Sequence, residues 1–130
     1  MNYKKLINQA INVQQNAYAP YSKFKVGAAL LCEDGTVVTA CNIENGAYPI
    51  GNCAEKNAFE RAISMGQRNF VAIAIVGGDL SKYCYPCGAC RQIMTEFNPQ
   101  LDVVVAKSEN EYKVHKAFEL LPHYFELKGE

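Results

Sequence analysis

Two short cysteine motifs constrain this chain more than any other feature of its sequence. The first is Cys53-Ala54-Glu55, and the second is Pro86-Cys87-Gly88-Ala89-Cys90. A catalytic zinc ion takes three protein ligands and keeps its fourth position for water, and Cys53, Cys87 and Cys90 supply three thiolates. Glu55 lies too close to Cys53 in sequence to share the ion comfortably, so its carboxylate is free to act as a base toward that water. The motifs therefore predict a catalytic zinc site.

Other uses of the same cysteines predict other kinds of site. Cys84, Cys87 and Cys90 form a Cys-x-x-Cys-x-x-Cys run, and a fourth thiolate from Cys84 would close the site into a structural zinc centre or serve an iron–sulfur cluster. A thioredoxin-like dithiol would make Cys53 and Glu55 a coincidence, and ordinary core cysteines do not explain the spacing. A closed site leaves Glu55 without a role, which favours the open one.

The length and cysteine usage predict a single compact domain, residues 1–130, in a reducing compartment. A chain of 130 residues can bury one hydrophobic core without covalent cross-links. The six cysteines could form disulfides, but residues 1–10 are polar and lysine-bearing and lack the apolar segment of a signal peptide. Reduced thiols and a cytoplasmic location are therefore expected.

The charge pattern argues against nucleic acid and membrane partners. The chain has 13 basic and 13 acidic residues, and no basic run exceeds Lys4-Lys5. This pattern lacks the basic patch of a nucleic-acid interface. The longest apolar stretch, 70–76, is too short to span a bilayer. We therefore expect a small-molecule substrate.

Hydrophobic periodicity predicts an α/β fold with a mixed sheet of about five strands. An N-terminal antiparallel hairpin turns at residues 33–35 and is followed by two consecutive βαβ units with parallel pairing. A short edge strand after Lys113 is also expected. The predicted helices are 3–17, 53–65, 87–97 and 117–121, and the other predicted strands are 25–32, 36–42, 70–76 and 101–106.

Both cysteine motifs stand where a predicted helix begins. In βαβ units, helices start at the carboxyl edge of the sheet, so Cys53 and the pair Cys87 and Cys90 are expected on the same side. The partial positive charge and free amides of a helix N-terminus stabilise thiolates. This placement favours metal binding.

The motifs match the signature of zinc nucleobase deaminases in its all-cysteine form, and the chain resembles the small homotetrameric cytidine deaminases. The resemblance covers nearly the whole chain and implies the three-layer αβα fold of that family. It also implies one zinc ion per subunit and active sites shared between subunits. The blocks that carry it are, in order, Tyr18-Ala19-Pro20-Tyr21-Ser22, residues 24–30, Asn42-Ile43-Glu44-Asn45, Cys53-Ala54-Glu55, residues 86–92 and Leu120-Leu121-Pro122.

The resemblance implies hydrolytic deamination of cytidine and deoxycytidine to uridine and deoxyuridine, with release of ammonia, in pyrimidine salvage. A zinc-bound hydroxide would attack C4 of the cytosine ring. Glu55 would take the proton from the water, deliver it to N3 and carry a second proton to the departing amine.

The resemblance also implies a set of substrate contacts. Asn42 and Glu44 would hydrogen-bond the ribose hydroxyls, Phe24 would pack near the base and sugar, and the small Ala54 would offer backbone groups to the pyrimidine. Without the resemblance, Phe24 would be an ordinary core residue, and Asn42 and Glu44 would be polar residues at strand ends.

The resemblance also implies that two aromatic residues complete the active site of a neighbouring subunit. These are Tyr48, in the loop before the first ligand, and Phe125, in the tail after Leu120-Leu121-Pro122. The alternative for Phe125 is that it packs on its own subunit.

Three thiolates around Zn²⁺ carry a net negative charge, which opposes deprotonation of a bound water, so a nearby cation is expected. Lys56 and Arg91 each follow a ligand-bearing segment. Of the two, we expect Arg91 rather than Lys56 to offset the negative charge. The family usually has arginine after its Cys-Ala-Glu motif, so Lys56 is a departure that cannot make forked contacts. A solvated helix face is the alternative for both residues.

Two further departures concern substrate breadth. Pro49 and Tyr85 stand where the family commonly has glycine and a small hydroxyl residue. They leave open whether the enzyme prefers cytidine or deoxycytidine. They also leave a modified or antibiotic cytosine nucleoside as the alternative substrate. A polynucleotide-editing deaminase is opposed by the neutral charge, and a non-catalytic zinc module is opposed by Glu55. His115 and His123 lack ligand spacing and are expected to be surface or packing residues.

Overall fold

The computed structural model describes residues 2–127, which form an α/β fold. Loops and one short 3₁₀ turn, Tyr48–Ile50, connect the elements. The helices are α1 (Lys4–Gln14), α2 (Ala54–Ser64), α3 (Gly88–Phe97) and α4 (Ala117–Leu120), and the strands are β1 (Val26–Cys32), β2 (Val37–Cys41), β3 (Phe70–Gly77), β4 (Asp102–Ser108) and β5 (Glu111–Lys116).

The strands form one mixed sheet in the order β2-β1-β3-β4-β5. β1 pairs antiparallel with both β2 and β3, β3 pairs parallel with β4, and β4 pairs antiparallel with β5. The predicted hairpin, mixed sheet and C-terminal edge strand are confirmed.

The predicted parallel pairing is confirmed for β3 with β4 but is wrong for β2 with β3. The crossover through α2 passes over β1, which lies between those two strands. β1 is almost entirely buried and suits a central position, whereas β2 is mostly half-buried and suits an edge. Local sequence reveals the strands but not which neighbour each one takes.

Helices cover both faces of the sheet, which confirms the three-layer αβα arrangement. On one face, α1 packs Leu6, Ile7 and Ala10 against β-strand residues that include Ala74 and Val104. On the other face, α2 and α3 pack against the opposite side chains of the same strands; this second core includes Phe59, Met94, Ile73, Ile75 and Val105.

α1 ends earlier than the predicted 3–17. The amides of Asn16 and Ala17 donate to the carbonyl oxygens three residues before them, at 3.0 and 3.2 Å, so the chain tightens into a turn after Gln14. Gln14, the last helical residue, is buried. Within residues 2–127, no helix has the length and apolar character needed to cross a membrane.

Candidate active site

Two helix N-termini bring the predicted metal ligands together. Cys53 and Cys87 have extended backbone angles and directly precede α2 and α3, while Cys90 lies in the first turn of α3. The Sγ atoms of Cys53 and Cys87 are 3.7 Å apart, and all three sulfur atoms lie within 4.8 Å of one another.

This cysteine cluster has the dimensions of a zinc site. Tetrahedral ligands with Zn–S bonds of 2.3 Å place sulfur atoms about 3.8 Å apart, which matches the distance between Cys53 and Cys87. Cys53 and Cys87 are exposed and Cys90 is buried, so the cluster opens to one side. The donor set therefore fits a zinc ion with an accessible fourth position.

Cys84 lies outside this cluster, although it lines the neighbouring cavity. Its sulfur packs over β3, where a Cβ atom on Gly77 would come within 2.7 Å of it. Burial raises the pKa of the Cys84 thiol to about 11, and the negative charges of Glu55 and Cys53 act in the same direction. These surroundings favour a neutral thiol at Cys84.

The pKa values of the Cys53 and Cys90 thiols shift in opposite directions. Hydrogen bonding from Cys90, with further help from Cys87 and from the charge of Lys56, lowers the pKa of Cys53 to about 6. The pKa of Cys90 is raised, because its thiol hydrogen-bonds Cys53 and because it is buried. These opposite shifts favour a thiolate at Cys53, and binding of a zinc ion would displace the proton of Cys90.

Glu55 is a buried carboxyl group beside the cysteine cluster. Glu55 lies in the first turn of α2, and only 5% of its surface is exposed. Burial raises the pKa of Glu55 to about 7, and the negative charge of Cys53 adds to the effect. A carboxyl group with a pKa near neutrality can both accept and return a proton, as a general base must.

A cavity of about 600 Å³ opens beside Glu55, a volume that suits a small-molecule site. It contains five of the predicted substrate residues, and Cys53, Cys87, Glu55, Cys84 and Tyr85 also line it. The five are Phe24, Asn42, Glu44, Tyr48 and Ala54.

Asn42 and Glu44 also hold the loop at the cavity mouth. Asn42 accepts a hydrogen bond from the amide of Val26 at 2.8 Å and donates to the carbonyl oxygen of Phe24 at 2.9 Å. Glu44 accepts from the amides of Tyr21 and Ser22 at 3.0 and 3.1 Å and from the Ser22 hydroxyl. These bonds, the Ser22 hydroxyl first, lower the pKa of Glu44.

Sequence reasoning gave Tyr21 and Ser22 no role of their own. Both line the cavity, and the Tyr21 ring packs edge-on against Tyr48 with centroids 5.9 Å apart. The signal for them was the block Tyr18-Ala19-Pro20-Tyr21-Ser22, which matched the family without suggesting a contact. Phe24 is 46% exposed at the cavity, so its side chain is not enclosed in the core.

The two candidate cations have different surroundings. The charge of Lys56 is among the influences that lower the pKa of Cys53. Arg91 donates from Nε to the carbonyl oxygen of Pro86 and from a terminal nitrogen to that of Leu120, both at 2.8 Å. Arg91 therefore fastens the segment before Cys87 to the end of α4. The order in which these two cations influence turnover stays a prediction.

Phe125 does not line the cavity of its own chain. It is 69% exposed, and its carbonyl oxygen accepts a hydrogen bond from Gln92 at 3.0 Å. His115, expected only as a surface or packing residue, lies 3.0 Å from the hydroxyl of Tyr85 at the cavity wall. Tyr85, which lines the cavity, is thus linked to β5.

Three converging thiols, a buried carboxyl group with a pKa near neutrality and a nucleoside-sized cavity define the site of a hydrolytic zinc deaminase. Residues 1–107 match the family model for the cytidine and deoxycytidylate deaminase zinc-binding region. The chain belongs to the cytidine deaminase family.

Individual relatives agree along nearly the full chain. The cytidine deaminase of Sporosarcina psychrophila is 46% identical over 126 residues, which span 96% of this chain and 92% of that protein. The crystal structure of cytidine deaminase from Burkholderia pseudomallei has a TM-score of 0.90 at 45% identity, covering 96% of this chain and 100% of that one. The Mycobacterium tuberculosis enzyme structure has a TM-score of 0.86 at 35% identity, covering 98% and 99%.

Proposed function

We propose that this protein hydrolyses cytidine and deoxycytidine to uridine and deoxyuridine with release of ammonia. The observation that carries the proposal is the buried Glu55 beside three convergent cysteines at the cavity. Relatives named cytidine deaminase support cytosine as the nucleobase of the substrate. A modified or antibiotic cytosine nucleoside is the alternative substrate, because Tyr85 and Pro49 depart from the common family residues.

Cys53, Cys87 and Cys90 would hold the zinc ion, which when bound supplies Lewis-acid activation of a water molecule. Glu55 accepts a proton from the attacking water and delivers it to N3 of the cytosine ring while a bond forms between C4 and the water oxygen. Glu55 then takes the remaining proton of the hydroxyl on C4 and carries it to the amine, so that the C4–N bond breaks, the C4 carbonyl forms and ammonia leaves. A pKa near neutrality suits a group that handles two protons in turn.

The remaining cavity residues orient the nucleoside. Phe24 offers an apolar surface to the base and sugar. Asn42 and Glu44 each carry acceptor oxygens that can receive further hydrogen bonds from ribose hydroxyls, and their bonds to the 21–26 loop fix them in position. Ala54 lines the cavity next to Glu55, and its small side chain would allow the ring to approach the backbone.

The direct test is an ultraviolet assay of the purified, zinc-loaded protein. Cytidine and deoxycytidine are expected to be deaminated, whereas CMP, adenosine and cytosine are expected to react much more slowly. The zinc-free protein serves as the control. Faster turnover of a modified cytosine nucleoside than of cytidine would favour the alternative substrate, and turnover of adenosine alone would contradict the proposal.

The proposal places this activity in pyrimidine salvage in the cytoplasm, with residues 1–130 acting as one domain. All six cysteines are free thiols, which is compatible with a reducing compartment. A single sheet carries both hydrophobic cores, which supports one domain.

We further propose that the working unit is a homotetramer in which neighbouring subunits complete each active site. Apolar side chains near the cavity are unusually exposed, including Tyr48 at 76% and Ile50 at 62%. An exposed apolar surface of this kind is favourable to bury against another protein. A second copy of this chain would cover it, and its Phe125 would exclude water from the site.

Subunit mixing tests the shared site. Glu55→Gln protein and a chain shortened after Tyr124 are each expected to be nearly inactive alone, because one lacks the base and the other lacks Phe125. Exchange of subunits should restore part of the activity, since some sites would combine an intact Glu55 with an intact neighbouring tail. The measurement is cytidine turnover after mixing under conditions that permit exchange.

A chain shortened after Glu126, which keeps Phe125, is the matched control and should be active without mixing. A fully active monomer in sedimentation would contradict both the tetramer and the shared site.

A further inference from the structure

The Phe24 side chain is a wall of the cavity whose position is set by its neighbours. Its ring lies on the end of the β3 segment, where a Cβ atom on Gly78 would come within 2.7 Å of Phe24 Cε1. Gly78 has φ +64°, a backbone conformation that favours glycine. The ring therefore uses space that only a glycine leaves, and its location depends on how Gly78 is held.

One buried amide holds both the Phe24 segment and Gly78. The Nε2 atom of Gln14, at the end of α1, donates to the carbonyl oxygens of Lys25 at 3.0 Å and Gly78 at 2.9 Å. The amide of Gly78 also donates to the Lys25 carbonyl oxygen at 2.8 Å. Gln14 is only 6% exposed, so these hydrogen bonds are shielded from water.

The helix that carries Gln14 is itself firmly placed. A Cβ atom on Gly27 would lie 2.1 Å from the Ala10 carbonyl oxygen and 3.0 Å from Gln14 Cβ, so α1 packs directly on β1. Phe24 is thus held from two directions: Asn42 bonds its carbonyl oxygen on the cavity side, and Gln14 bonds the next carbonyl from the other face of the sheet.

We propose that Gln14 is a positioning residue for nucleoside binding, acting through Phe24. This inference rests on the proposed function, since it takes the nucleoside as the occupant of the cavity. Gln14 touches neither the cysteine cluster nor the cavity. Its loss would leave the Gly78 carbonyl oxygen without this donor and would let the Phe24 wall shift. Binding should therefore suffer more than the chemical step.

The test compares Gln14→Met, which keeps length but has no donor, with the zinc-loaded wild type. We expect the KM for cytidine to rise roughly 5- to 10-fold, with kcat changed by less than about twofold. Gln15→Met, on the next and exposed residue, is the matched control and should leave both constants unchanged. Equal zinc content in all three proteins shows that the metal site is intact.

A second background shows whether the effect passes through Phe24. In Phe24→Ala protein, Gln14→Met should raise KM by less than about twofold, because the wall that Gln14 positions is absent. An undiminished effect in that background would overturn the inference, as would an unchanged KM in the simple Gln14→Met variant. A lower melting temperature alone, with KM unchanged, would mean that Gln14 is merely structural.

Direct binding separates this inference from the proposed function. Calorimetric affinity for cytidine in Glu55→Gln protein should fall by the same factor when Gln14→Met is added. If the wild type does not deaminate cytidine, the proposed function fails; if it does and this affinity is unchanged, only the role of Gln14 fails. Should Gln14→Met not fold, Gln14→Asn, whose shorter amide cannot reach both carbonyl oxygens, is measured instead under the same criteria.

Discussion

Replacement of Glu55 with glutamine is expected to lower kcat for cytidine by a factor of about 10³, the middle of the range for loss of a general base. The amide is close in shape to the carboxyl group but cannot accept the proton of the attacking water or return it to the ring. Zinc content should be unchanged, because the three cysteine ligands are untouched. The measurements are steady-state turnover and elemental analysis of the same sample.

Glu60→Gln is the matched control for this experiment. Glu60 lies on the same helix but is exposed on its outer side, so the same change of charge should leave kcat unaffected. If Glu55→Gln kept a substantial fraction of wild-type kcat with full zinc, Glu55 would not be the proton carrier. Loss of zinc in Glu55→Gln would mean instead that the carboxyl group helps to hold the ion.

The site's centre could be predicted from sequence because its geometry is local. Cys87 and Cys90 are one helical turn apart, and Cys53 and Glu55 begin another helix, so short spacings place three thiols and a carboxyl group at two helix N-termini. The helix and strand periodicities likewise predicted most element boundaries to within two residues. α1 was the exception, because the chain tightens into a turn after Gln14.

Features that depend on distant parts of the chain could not be predicted. Nothing local indicates that β1 separates β2 from β3, since pairing is chosen by burial in the complete sheet. Gln14 illustrates the same limit within the site. A polar residue beside the apolar stripe of α1 is expected on the surface, yet it is buried because two carbonyl oxygens from remote segments need a donor there.

The polar residues of the cavity show a further limit. The family resemblance indicated Asn42 and Glu44 as sugar contacts, and both line the cavity. Both also hold the backbone of residues 21–26 through hydrogen-bond partners 16 to 23 positions away. Such contacts exist only after the hairpin and the preceding loop have folded together, so spacing in the sequence carries no direct record of them.

Replacement of Cys53, Cys87 or Cys90 with alanine is expected to remove zinc and to lower the melting temperature, whereas Cys84→Ser should keep both. Each of the first three changes leaves only two thiolates for the ion. The free energy of zinc binding contributes to the free energy of folding, and for small structural zinc sites that contribution is about 10 kcal/mol or more. Zinc content should therefore fall from one ion per chain to near zero, and cytidine turnover should fall with it.

Cys84→Ser is the informative member of the series because the sequence allows Cys84 as a fourth ligand. In the structure its sulfur packs against Gly77 and lies outside the cluster formed by Cys53, Cys87 and Cys90. A serine there would change the cavity lining without removing a metal bond. Zinc loss on changing Cys84 would indicate a closed structural site; zinc retention with turnover would leave the fourth position to the water that Glu55 deprotonates.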